Sequence, residues 1–147
     1  MAFALKSDLS IEDIIENFSF LEEWEDRYGY LIELGRELTE LPEAERIEAN
    51  KVQGCVSQVW LLPSSDENPS TGERVLVFNG ASDAHIVSGL VAITLALFSG
   101  KTAQTILKTD EQETFKAIGL EEHLTPQRSN GLRSMVKRIK DIAAAAA

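Results

Sequence analysis

Apolar positions recur at helical spacing in some parts of the chain and alternate in others, and the switches between the two divide it into elements. Ser10 followed by IEDIIENF sets a hydroxyl N-cap ahead of acids in a first turn and predicts a short helix from Ile11 to about Phe18. From Leu21 to Leu38 the residues Leu21, Trp24, Tyr28, Leu31, Ile32, Gly35 and Leu38 return every three or four positions. Glu22, Glu23, Glu25, Asp26, Arg27 and Glu33 fill much of the other side, so a second helix with a solvated acidic face is expected. Leu41-Pro42 breaks that pattern, and Glu43 to Lys51 reads as a polar connection or a short helical turn.

The period becomes two at Val56 to Leu62, where Val56, Gln58 and Trp60 alternate with Ser57, Val59 and Leu61, and the valines and tryptophan favour a strand. PSSDENPSTG reads as a turn, and Arg74 to Asn79 as the returning strand of an antiparallel hairpin with a long loop. Asn79-Gly80-Ala81-Ser82-Asp83 is a second turn, with Asp83 as N-cap of a helix from Ala84 to Phe98. That helix is apolar on nearly all sides and is therefore expected at the centre of the core.

Gly100 stops the central helix, Thr102 caps a short helix to about Leu107, and another runs from Glu111 to Ile118 and ends at Gly119. Thr125 and Pro126 open a last helix with Leu132, Met135, Val136, Ile139 and Ile142 along one face. The expected fold class is α+β, a small antiparallel sheet packed by helices. Residues 1–147 form one domain, with 1–10 and 143–147 as poorly ordered tails.

Composition narrows the function classes. A chain of 147 residues can bury a core without disulfides or metal, and one cysteine forms no internal disulfide, which suits a reducing compartment. The N-terminus lacks an export signal and the apolar run Leu90 to Phe98 is too short to span a bilayer, so a cytoplasmic location is expected. The net charge of -10 argues against nucleic acid and anionic membranes as partners, and leaves a protein with a basic patch open.

Candidate chemistry concentrates in GCVSQVW, Gly54 to Trp60, which holds the sole cysteine, Cys55. A glycine adopts backbone angles closed to other residues, so Gly54 can turn the chain and present Cys55 ahead of the strand. By itself a lone cysteine is most often a small buried hydrophobe. His85 would complete a Cys-His hydrolase pair, but its place in the first turn of a core helix has a structural explanation. Trp60 reads as a core strand residue.

Three blocks, VQGCVSQVW (Val52 to Trp60), NGASDAHIVSGLVAITLAL (Asn79 to Leu97) and LEEHLTPQRSNGLRSMVKRI (Leu120 to Ile139), together resemble the SufE family of sulfur-acceptor proteins. WEDRYGYLIELGRELTEL extends the resemblance, which covers about Ile11 to Ile142. It implies a compact α+β fold shared with iron-sulfur scaffold proteins. It also implies an accessory role, without turnover of its own, in which Cys55 accepts persulfide sulfur from a pyridoxal-phosphate-dependent cysteine desulfurase of the SufS or CsdA type. The protein would stimulate that desulfurase and pass the sulfur to a downstream acceptor or iron-sulfur scaffold. The pyridoxal phosphate belongs to the partner, so the chain itself is expected to hold no cofactor and no metal.

Residues matching the family pattern are Gly54, Gln53, Ser57 and Gln58 around the thiol, Asp83, and Arg128 in TPQRSNGL. Arg128 would orient a thiolate, bind an acidic partner group, or tie the helix start to an acidic neighbour. Asp83 has a sufficient local role as N-cap. Gly89 and Gly131 suit close packing or a turn, and His123 in HLTP suits a local hydrogen bond. An iron-sulfur scaffold or a non-catalytic interaction module of the same fold is the alternative. The scaffold lacks ligands, since a cluster needs about four thiolates or imidazoles and the chain has Cys55 and two histidines. With only Lys51 as a cation close in sequence, Cys55 is expected to be sheltered and modestly reactive, its activation supplied by docking.

Overall fold

A computed structural model describes residues 4–6, 9–55, 57–120, 122 and 124–147. Val56 and His123, with the roles expected of them, lie outside the described residues. In chain order the elements are α1 (Ile11–Ser19), α2 (Trp24–Arg36), two 3-10 turns (Glu43–Glu45 and Glu48–Asn50), β1 (Val59–Glu67), β2 (Arg74–Ser82), α3 (His85–Phe98), α4 (Ala103–Lys108), α5 (Glu111–Ile118) and α6 (Pro126–Ala146). The α+β class expected from the sequence is the one observed. Among the described residues no helix is long and apolar enough to cross a membrane.

Local chemistry sets most helix starts. Ser10 and Asp13 form a reciprocal capping box on α1, Thr102 caps α4, and Thr125 with Pro126 opens α6. Helix α2 is shorter at both ends than its apolar spacing implies. At its start the Leu21 carbonyl accepts from Arg27 Nε at 2.8 Å. At its end Leu38 leaves the helix to bridge antiparallel to Leu5. Ala4 and Leu5, within the stretch expected to be loose, are buried in the core. At the other end α6 continues to Ala146 with Ala143 fully buried, so the alanine run extends the helix.

β1 and β2 pair antiparallel from Val59↔Ser82 to Glu67↔Arg74. The expected long loop is therefore a correction: PSSDE belongs to β1, and the reversal is confined to the residues around Asn68 and Glu73. There Gly72 has φ of 73° and its N–H donates to the Asn68 carbonyl at 2.8 Å. Pro63 is tolerated because each strand of a two-stranded ribbon is an edge. Val59, Leu61, Leu76 and Phe78 face the main core, whereas Trp60 and Ala81 face the other side and pack with Leu41.

Helix α3 is the centre of the molecule, packed against α2, β2, α6 and α1. Its approach to α2 depends on Gly89, where a Cβ would stand 2.1 Å from the Leu31 carbonyl oxygen. Gly35 is the counterpart on α2, where a Cβ would meet that of Ser88 at 2.7 Å. Thr94, buried in α3, satisfies its hydroxyl by donating to the Leu90 carbonyl at 2.8 Å.

Candidate functional site

The chain enters β1 through a narrow loop whose tip carries Cys55. Lys51 bridges to Trp60, and Val52 N–H donates to the Val59 carbonyl at 2.8 Å, so the residues between them form a closed excursion. Gly54 turns it with φ of 90°, a conformation that side-chain-bearing residues rarely adopt. A Cβ there would also lie 2.5 Å from Ser134 Oγ on α6. The turn role expected of Gly54 is thus observed, and its reason is double: backbone angle and close approach.

Both stems of the loop are pinned by charged side chains. On the incoming side, Arg138 of α6 donates from Nη2 to the Ala49 carbonyl at 3.0 Å and from Nη1 to the Lys51 carbonyl at 3.3 Å. On the outgoing side, Asp83 Oδ1 accepts from Gln58 N–H at 3.1 Å, and Asp83 N–H donates to the Gln58 carbonyl at 3.3 Å. The N-cap role expected of Asp83 is not the one observed. Helix α3 begins at His85 with Ala84 in the cap position and no side-chain cap, because the Asp83 carboxylate is committed to Gln58.

Cys55 is half-buried, and its thiol turns inward. Sγ donates to the Gly131 carbonyl oxygen at 3.6 Å, and a Cβ on Gly131 would press against Sγ at 3.4 Å. Beside it is a pocket of about 30 Å³ lined by Ser57, Val87, Leu90, Arg128, Leu132 and Met135, among others. Burial in these apolar surroundings pushes the thiol above its ordinary pKa, since the charged form is the one that loses hydration. The resting site is therefore a protonated thiol beside a small, partly open space.

Of the residues singled out in the sequence, the structure gathers Cys55, Ser57 and Arg128 at one pocket and places Gly54 and Asp83 in the loop's support. Gln53 is exposed at the turn and does not line the pocket. His85 is exposed at the start of α3 and does not line it either. Ser134 and Arg138 were missed. Their signal was present in Gly131-x-x-Ser134 and in Arg138, which follow one face of α6 at helical spacing, but that face could be matched to the loop only in three dimensions. Among the described residues, no group of three histidine, cysteine or acidic side chains gathers in a way that could hold a metal ion.

Residues 12–143 match the family model of the SufE, Fe-S metabolism associated domain. An uncharacterized SufE-like protein of Rhizobium meliloti is 56% identical over 131 residues, covering 89% of this chain and 92% of that protein. One of Rhizobium etli is 55% identical over 132 residues, covering 90% and 88% respectively. The solution structure of a hypothetical protein from Thermus thermophilus superposes with a TM-score of 0.67 at 23% identity, covering 92% of this chain and 94% of the other, and shows the shared fold. By the span of the family model and the identity to these relatives, this chain belongs to the SufE family.

Proposed function

We propose that the protein is a sulfur acceptor that takes persulfide sulfur from a pyridoxal-phosphate-dependent cysteine desulfurase onto Cys55, stimulates that enzyme and hands the sulfur on for iron-sulfur cluster assembly. The observation that carries this reading is the placement of the sole cysteine on a loop held at both stems, with its thiol turned onto the Gly131 carbonyl. A carrier needs one thiol at a transferable position and no second thiol to resolve a disulfide.

The exchange conserves electrons. The Cys55 thiolate attacks the outer sulfur of the donor persulfide, a new S–S bond forms to Cys55, and the donor's S–S bond breaks. The donor cysteine leaves as thiolate and takes up a proton. Because burial disfavours the Cys55 thiolate, the resting protein is protected from alkylation and oxidation. Docking on the desulfurase brings the thiol into contact with the persulfide and supplies the activation. Arg128 on the pocket wall supplies a permanent positive charge to the anionic forms of the site. Asp83 and Gly54 set the loop geometry rather than the chemistry.

The test is to incubate the protein with a cysteine desulfurase and cysteine and to record its intact mass with and without reductant. Addition of one sulfur atom that reductant removes, absent in Cys55→Ser, is the expected outcome, together with faster desulfurase turnover. No adduct and no stimulation would end this reading.

A further inference from the structure

Away from Cys55, a cleft of about 360 Å³ opens between the end of α2, the segment after it and the end of β2. None of the residues lining the thiol pocket lines this cleft. Its walls carry Lys6, Arg36 and Arg46 against a single acid, Glu40, in a chain that has 24 acidic and 14 basic residues. The charge of the cleft is thus opposite to that of the molecule.

Each cation is brought there by a separate part of the fold. Lys6 is carried by the N-terminal segment, whose backbone bonds to Glu37 and Thr39 run alongside the chain leaving α2. Arg36 is in the last turn of α2 and exposed. Arg46 is held with Nε on the Leu41 carbonyl at 3.3 Å and its guanidinium 5.8 Å from the Trp60 ring centroid. Among the described residues, none of the three has a carboxylate within 4.0 Å, Glu40 included. Ser82 and Ser88 add hydroxyls.

A larger cleft, about 440 Å³ between α5 and α6, shows the contrast. There two of the three cations are neutralised in place, Lys137 by Asp141 at 2.8 Å and Lys140 by Glu111 at 2.9 Å, and the third, Arg133, donates to Asn130 Oδ1 at 3.3 Å. Three cations against the single acid Glu40 leave the concavity with an excess of positive charge, which an anionic ligand would offset. We propose that the cleft walled by Lys6, Arg36 and Arg46 is a binding site for a small phosphate-bearing anion. Two guanidiniums can fork onto phosphate oxygens, the lysine supplies a compact third charge, and the serine hydroxyls complete the hydrogen bonding. The volume is at the lower end of the range of small-ligand sites, and the lining, more polar than apolar, favours a polar ligand.

The test uses the full chain, isotope-labelled and titrated with inorganic pyrophosphate at constant ionic strength, with backbone amide NMR shifts as the readout. Saturable shifts confined to the neighbourhood of Lys6, Arg36, Ser82 and Ser88 are expected. Arg36→Glu, at an exposed helix end, should weaken binding by about tenfold or more, the loss of one charge-assisted contact. Arg46→Gln should weaken it similarly, and Arg133→Glu, on α6 at the other cleft, should leave it unchanged. Absence of saturable shifts, or equal weakening by Arg36→Glu and Arg133→Glu, would overturn the proposal.

Discussion

Cys55 is a thiol kept in its neutral form by where it sits. An unperturbed thiol has a pKa near about 8.5 and is only about 3% ionised at pH 7, and burial moves this one further up. Alkylation of the free protein by iodoacetamide should therefore have its pH midpoint above that of the same cysteine in the unfolded chain; a midpoint at or below it would contradict the buried geometry. The same shift links to stability. Well below the unfolded pKa the thiol is neutral in both states and its contribution is constant. As pH rises through that value the unfolded chain ionises first, and stability falls until the folded thiol ionises as well. Between about pH 7.5 and about pH 9.5, urea denaturation of the wild type should thus lose more stability than that of Cys55→Ser. Tyr30, also raised mainly by burial, adds a loss in the same direction at higher pH in both proteins, so the difference between them isolates Cys55.

At the scale of elements, the site depends on α3 being held tightly enough for its Val87 and Leu90 to wall the thiol pocket on one side while α2 packs on another. Gly89 is the point of closest approach, and Gly89→Ala would put a methyl within 2.1 Å of the Leu31 carbonyl oxygen, a backbone atom that cannot rotate away. The two helices would have to separate, at a cost of about 3 kcal/mol or more, towards the upper end of the overpacking range. Urea denaturation measures it, and a loss below about 1 kcal/mol would show that the helices give way easily.

This close packing was legible only as a glycine in an apolar helix; the partner on α2 was not. What the sequence makes readable is local: the caps at Ser10, Thr102 and Thr125, the positive-φ turn at Gly54, the apolar circumference of α3. What it hides depends on distant partners. The hydroxyls and acids of PSSDE look like a turn until β2 pairs with them, Leu5 looks like a tail until Leu38 meets it, and Asp83 looks like a helix cap until Gln58 takes its carboxylate.

At the scale of the molecule, charge and exposed apolar surface meet near the loop. The segment Glu43–Asn50 leads into the Cys55 excursion and is tied to α6 through Arg138. It exposes Ile47, 48% accessible, between Glu43 and Glu48 on either side. An exposed apolar side chain on a segment that carries Glu43, Glu45 and Glu48 beside Arg46 suits a partner surface with an apolar recess near basic residues, and the net charge of -10 would steer such a partner from a distance. If desulfurase docking uses this surface, raising the salt from about 50 mM to about 500 mM should slow association by about tenfold or more, because the screening length contracts to a few ångströms. Sulfur transfer within the preformed complex, followed by rapid quench, should not change. Reversing two charges, Glu43→Lys with Glu48→Lys, should slow association at low salt and reduce its salt dependence, while the alkylation rate of free Cys55 stays as in the wild type. Association that ignores both salt and charge reversal would place the docking surface elsewhere, whereas a changed alkylation rate would mean that the substitutions had disturbed the loop itself.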